Sequence, residues 1–258
     1  MGYWQDRAIE TQTRLANKAI AQTEAQLSQY YNTALHNTTG QFLVTYNKLL
    51  SSSNAGVSPT PADLYKLDSY WQMLGQLKRE LQRLGDRQGV LFANNFANLY
   101  MEIYNSLALQ GGAAFSTIDI AAAQQMINQI WCADGLSWSQ RVWGNVEKLQ
   151  QTLNDELINC VISGADTRQL KEMLMYEFNV SYNRADSLVR TEVAHIQTQA
   201  AKQRYMDAGI REMEVWADKD ERRCSVCGKL HQKRFLITEP APIPAHPRCR
   251  CRLLPVIE

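Results

Sequence analysis

Four of the six cysteines and two of the four histidines of this chain fall between Cys224 and Cys251. Cys224 and Cys227 form a C-x-x-C turn, a spacing that lets two thiolates converge on one metal. Further on, His246-Pro247-Arg248-Cys249 repeats the i, i+3 geometry. Two such knuckles supply soft or borderline ligands for tetrahedral zinc at about 2.0 to 2.3 Å. Cys251 is a fifth candidate. Residues two apart on a strand face the same way, so Cys249 and Cys251 compete for the metal and the sequence leaves that choice open. A disulfide pair or free thiols are the alternatives. Thioredoxin-like chemistry wants its C-x-x-C at the start of a helix, whereas Gly228 and a strand-like stretch are expected here. A catalytic zinc keeps one position open on three protein ligands, so four or five candidates point to a closed structural site. A nucleobase deaminase needs H-x-E and P-C-x-x-C. His195 is followed by Ile196 and Gln197, and Arg223 precedes Cys224, so both halves fail.

The surroundings of these residues are basic. Arg222, Arg223, Lys229, Lys233, Arg234, Arg248, Arg250 and Arg252 stand against Glu239 alone between positions 222 and 252. With Phe235 and Trp216 nearby, such a patch can track a phosphate backbone without reading bases. A solvated surface whose charges serve solubility is the equal alternative. His231 reads as a surface or packing residue rather than a ligand. Upstream, Arg190 and Glu192 lie roughly 200° apart around a helix, so one of them faces protein unless both are ordinary exposed charges. By charge, Asp218, Asp220 or Arg222 are available as partners.

These residues need elements to position them. From Tyr3 to Leu50 apolar residues recur at helical spacing (Trp4, Ile9, Leu15, Ile20, Leu27, Tyr31, Leu35, Phe42, Tyr46, Leu49). One continuous helix there would span roughly 70 Å. It is either an arm that lies on partner subunits or a helix of an intrachain bundle. SSSNAGVSPTP (51–61) is a linker by composition, and Thr60, Pro61 and Asp63 open a helix expected to stop at Gly85. A second helix is expected from 88 to 109, broken by Gly111 and Gly112. Ser116 with Asp119 resembles a capping box for a helix ending near Ala133. Trp138, Val142, Val146, Leu149, Leu153 and Leu157 form the stripe of a helix ended by Gly164. Asp166 is expected to cap a helix over 167–178, and Ser181 a long one closed by Gly209. MEVWADK (213–219), KRFLI (233–237) and RLLPVI (252–257) then read as strands. The fold class is mainly α, with a small C-terminal α+β unit stapled by zinc. The expected organisation is a helical arm over 1–50, a helical region over 51–135, central helices over 136–181 and a C-terminal domain over 182–258.

Length and composition exclude more than they identify. The 27 basic and 26 acidic residues among 258 rule out a globally charged nucleic-acid coat. No window of about 18 apolar residues suggests a membrane span, and MGYWQDRAIE lacks the basic-then-apolar order of a secretory signal. Asp6 stands where a myristoylation signal wants Ser or Thr. Cys132 and Cys160, in apolar helical settings, read as buried free thiols in a reducing compartment. No convincing nucleophile-and-base pair or carboxylate cluster points to an enzyme.

LVRTE (188–192), YMDAGI (205–210), WADKDERRCSVC (216–227), KRF (233–235) and AHPRCRC (245–251), in that order, resemble the C-terminal domain of phage Mu F-like head morphogenesis proteins, a minor capsid family. WSQRVWGNVEKLQQTL (138–153) resembles the helical part upstream of it. The resemblance implies a few-copy, non-catalytic component of a tailed-phage head, bound to the portal inside the capsid and assisting assembly, packaging or genome ejection. It implies the portal protein as partner, with major capsid or scaffolding protein and packaged double-stranded DNA as further ones, and no membrane. The implied location is the virion, and the host cytoplasm during assembly. The family's Cys and His motif falls on Cys224, Cys227, His246, Cys249 and Cys251, and its R-T-E on Arg190, Thr191 and Glu192. Where the family often has Gly before K-x-F, this chain has Gln232. A zinc module that binds DNA without sequence preference is the alternative function.

Overall fold

The computed structural model describes residues 2–52, 59–107 and 117–257. The long N-terminal helix runs unbroken as α1 (Tyr3–Ser52), straight through Gly40. Leu15, Leu27, Tyr31, Phe42, Tyr46 and Leu49 of the expected stripe are buried. So are Ala8, Gln12, Ala16, Ala19, Thr23, Thr38 and Thr45, small or polar residues that no hydropathy pattern selects. A face buried along the helix is the mark of an intrachain packing helix, the second of the two readings above.

Thr60 caps α2 (Pro61–Tyr65) in a reciprocal box with Asp63, as its sequence predicts. α3 (Asp68–Ser106) then passes Gly85 without the expected stop. The physical reason lies in α5 (Trp138–Ser163): a Cβ at position 85 would sit 2.6 Å from Trp143 Cζ3 and 2.8 Å from its Cη2. Gly85 is a notch that admits an indole ring, not a terminator. Gly111, Gly112, Ser116 and most of the 51–61 linker lie outside the described residues. α4 (Ile120–Met126) is capped by Asp119 itself, which accepts from the Ala122 N–H at 2.9 Å, and it ends well before Ala133.

Gly164 closes α5 at φ 66°, with the Ala165 N–H donating to the Cys160 carbonyl at 2.9 Å. The two helices expected next are one, α6 (Thr167–Asp207). Asp166 Oδ1 accepts from the N–H groups of Arg168 and Gln169, and Gln169 Oε1 accepts from the Asp166 N–H, a capping box in full. Ser181 caps nothing; it is buried mid-helix, 3.0 Å from the Tyr31 hydroxyl. Gly209, at φ 76°, ends α6 in a Schellman arrangement, with the Ile210 N–H on the Tyr205 carbonyl and its own N–H on that of Met206.

Three antiparallel strands follow in the order β2-β1-β3: β1 (Glu212–Trp216), β2 (Arg234–Leu236) and β3 (Arg252–Pro255). β1 alternates, burying Met213 and Val215, while every residue of β3 is buried. Pro255 sits at the end of an edge strand, where its missing N–H costs no ladder bond.

The chain forms two compact units. One comprises Met1–Glu24, Leu91–Trp138 and Asp186–Glu258, and holds the sheet. Its interior joins α1 to β3: Gln12 Nε2 donates to the Leu253 carbonyl at 2.9 Å, and the Tyr205 hydroxyl donates to the same oxygen at 3.0 Å. Arg204 is buried with its Nε on the Leu107 carbonyl and its guanidinium over the Tyr104 ring. The other unit, Ala25–Val90 with Ser139–Ala185, is helical. Its core includes Leu27, Phe42, Tyr46, Leu77, Leu153 and Leu174, and the Tyr46 hydroxyl donates to the Ala165 carbonyl at 2.6 Å. Among the described residues, no helix is long and apolar enough to cross a membrane.

Candidate metal centre

Sheet register brings the two knuckles together. β1 and β3 run antiparallel with Trp216 opposite Arg252, so the chain leaving β1 and the chain entering β3 lie side by side. The first continues through Ala217 to Cys224, and the second arrives through Cys249 and Cys251. Cys224 is the N-cap of a short helix, α7 (Ser225–Leu230), its sulfur accepting from the Cys227 N–H at 3.4 Å. This replaces the strand-like stretch expected after Gly228; the return to β-structure waits until β2. The second knuckle is a turn closed by the Cys249 N–H on the His246 carbonyl at 3.2 Å.

Across the gap, His246 Nε2 lies 3.3 Å from Cys224 Sγ and 3.0 Å from Cys227 Sγ, and Cys227 Sγ lies 3.8 Å from Cys249 Sγ. Two thiolates on a tetrahedral zinc with Zn–S of about 2.3 Å would be about 3.7 Å apart, so the cluster has the dimensions of a coordination sphere. Its ligand atoms form two groups, Cys224–Cys227–His246 and Cys227–Cys249–Cys251, each with all atoms within 4.8 Å, and Cys227 belongs to both. The cluster could bind a metal ion. Among the described residues no other group of three such side chains converges in this way.

The protons of the cluster are unevenly held. Burial pushes the Cys227 thiol up to about 12. Cys251, hydrogen-bonded to Cys249 and buried, is raised further still, while the same bond pulls Cys249 down to about 5. Cys224 is lowered, first by the Cys227 N–H, and His246 is raised, first by its bond to the Pro247 carbonyl. Buried sulfurs that resist ionisation on their own become thiolates when a divalent cation supplies the compensating charge. His231 is no member of the cluster: its Nδ1 accepts from the Ala217 N–H at 3.2 Å and its ring packs edge-on to Trp216.

Arg190, Thr191 and Glu192 lie beside this centre on α6. Their partners differ from those expected by charge. Arg190 pairs with Glu24 of α1 and with Asp186, its Nε 3.2 Å from Asp186 Oδ1. Thr191 Oγ1 accepts from the Arg248 N–H at 3.1 Å and donates to the Ser187 carbonyl at 2.7 Å. Glu192 is buried, with Trp131 Nε1 donating to its Oε2 at 3.1 Å; the Trp131 ring stacks on His195 at 4.2 Å between centroids. Nothing in the sequence singles out Glu24 or Trp131 as partners; Asp186 carries one signal, its place four residues before Arg190 on one helix face.

The basic residues are largely answered by acids. Arg250 makes two 2.7 Å contacts to the Asp220 carboxylate, Arg252 is buried on Asp218 at 2.6 Å, and Arg248 reaches Asp186 at 2.7 Å. Arg234 lies 3.7 Å from Glu214 and Arg222 lies 3.8 Å from Asp220. Arg223, Lys229 and Lys233 are exposed and make no ion pair among the described residues.

The architecture is thus that of a helical protein whose small C-terminal sheet carries a Cys/His knuckle pair. Residues 151–254, from within α5 to within β3, match the family model described as Phage Mu protein F like protein, and over this segment the chain is similar to that family. That family points to phage head morphogenesis, with capsid-related partners and a place in the virion. No curated protein and no solved structure matches the chain.

Proposed function

We propose that the protein is a minor capsid component of a tailed phage, non-catalytic, that binds the portal inside the head and assists assembly, DNA packaging or genome ejection. The observation that carries this reading is the family match over 151–254, which contains all five cluster residues and the Arg190-Thr191-Glu192 motif. In this reading a zinc ion joins the two knuckles beside the sheet. Four thiols and an imidazole suit zinc better than a hard cation, which prefers oxygen. The N-terminal helix is a structural part of the protein rather than a detachable arm, because Gln12, Leu15, Ala16 and Ala19 are buried in the unit that holds the centre.

The test is co-expression of the full chain with the portal protein of the same phage. Co-purification with portal rings, and recovery from heads in far fewer copies than the major capsid protein, is the expected result. A chain that ignores the portal and is missing from heads contradicts the proposal. Contact with packaged DNA, as an accessory role, falls on the exposed Arg223, Lys229 and Lys233. It predicts an affinity for double-stranded DNA that drops steeply with salt.

A further inference from the structure

The second knuckle contains a conformational contradiction. His246-Pro247-Arg248-Cys249 is a turn with Pro at its second position and a residue at φ 59° at its third. The third position of such a turn demands the left-handed region, which Gly and Asn enter readily and Arg does not. Yet this turn must be held still, because it presents His246 and Cys249 on either side of the strained residue. Contacts from α6 fasten Arg248 at both ends: Thr191 Oγ1 takes its backbone N–H at 3.1 Å, and Asp186 Oδ2 takes its guanidinium at 2.7 Å. Both anchors are themselves fixed. Thr191 spends its hydroxyl proton on the Ser187 carbonyl at 2.7 Å, which leaves its lone pairs aimed outward, and Asp186 is steadied by Arg190 Nε at 3.2 Å.

We infer that Thr191, with Asp186, is the positioning residue of the metal centre: the helix α6 holds the His246–Cys249 turn in its left-handed form, so that the imidazole and thiolate are set before the ion arrives. This rests on the reading that the knuckles hold a divalent cation. It gives the middle of the Arg190-Thr191-Glu192 motif a task, while Arg190 orients Asp186 and Glu192 ties α6 to Trp131. The residues act through the turn and not on the ion, as outer partners of metal ligands do.

The experiment is zinc retention by the full chain against a chromophoric chelator. Thr191→Val, which keeps the β-branched shape but removes the acceptor, should lose zinc at about ten-fold lower chelator than wild type, whereas Thr191→Ser should match wild type. Arg248 is half-exposed, so its variants are expected to fold and to keep the inference testable where Thr191→Val does not fold. Arg248→Ala removes the guanidinium and keeps a Cβ in the left-handed turn; Arg248→Gly removes both. Arg248→Gly should therefore retain zinc better than Arg248→Ala. Thr191→Val holding zinc as tightly as wild type, or Arg248→Ala equalling Arg248→Gly, overturns the inference and leaves the metal site standing. A wild-type chain that takes up no zinc overturns both.

Discussion

A methyl group at position 85 would lie 2.6 Å from Trp143 Cζ3, so Gly85→Ala must push the indole out of its seat between α3 and α5. The expected loss is about 1–3 kcal/mol. Gly89→Ala, in the same helix, meets nothing within 4 Å and should gain up to about 1 kcal/mol from helix propensity. Thermal unfolding of the two variants separates the packing role from the conformational one. The same distinction explains what single residues disclosed in advance. Cys224, Cys227, His246 and Cys249 are legible as candidates because i, i+3 spacing is local chemistry, whereas the choice between Cys249 and Cys251 is not. Gln232 stands where the family often has Gly, and its φ of 62° is the conformation a glycine there would take freely. Gly85 and Asp186 were opaque or misread, since each is defined by a partner elsewhere in the chain: an indole on α5 for one, the guanidinium of Arg248 for the other.

At the scale of elements, local rules held wherever local contacts decide. Gly164 and Gly209 close α5 and α6 with positive φ, and Thr60 and Asp166 open α2 and α6 with reciprocal bonds. Asp166→Ala removes the carboxylate oxygen that accepts from two N–H groups at the start of a 41-residue helix and should lower stability by about 1 kcal/mol, read from the midpoint of chemical unfolding. Ser181 shows the limit of such signals. A serine followed by a helical pattern is compatible with an N-cap, but here its hydroxyl faces Tyr31 inside the helical unit, and the helix runs on. The small and polar residues on the buried face of α1 are a similar case: Gln12 is interior because Leu253 and Tyr205 meet it, which no periodicity could reveal. Strand positions were visible in composition, and the register that makes the knuckles adjacent followed only from the pairing of β1 with β3.

At the scale of the whole molecule, buried ionisable groups tie stability to pH. Burial holds the His195 imidazole down to about 4 from an ordinary 6.5, so between those values the unfolded chain binds a proton that the folded chain refuses. The stabilisation is complete above about pH 6.5 and declines as pH falls towards 4, by roughly 3 kcal/mol at most. The difference in unfolding free energy between wild type and His195→Gln should follow that slope; a difference independent of pH in this range would place the charge elsewhere. The family, the mainly helical class and the cysteine cluster were all readable from the sequence, because the C-terminal motifs are ordered and specific. The division into two units was not, since α1, α3 and α6 each contribute to both.

The central claim, that a metal ion holds the C-terminal sheet and its knuckles together, meets its most direct test in elemental analysis of the purified chain beside Cys224→Ser. Zinc near one equivalent in the wild type, lost in the variant together with the cooperative unfolding of the unit that holds the sheet, is the predicted result. A wild-type chain that carries no metal and unfolds with undiminished cooperativity in excess chelator contradicts it.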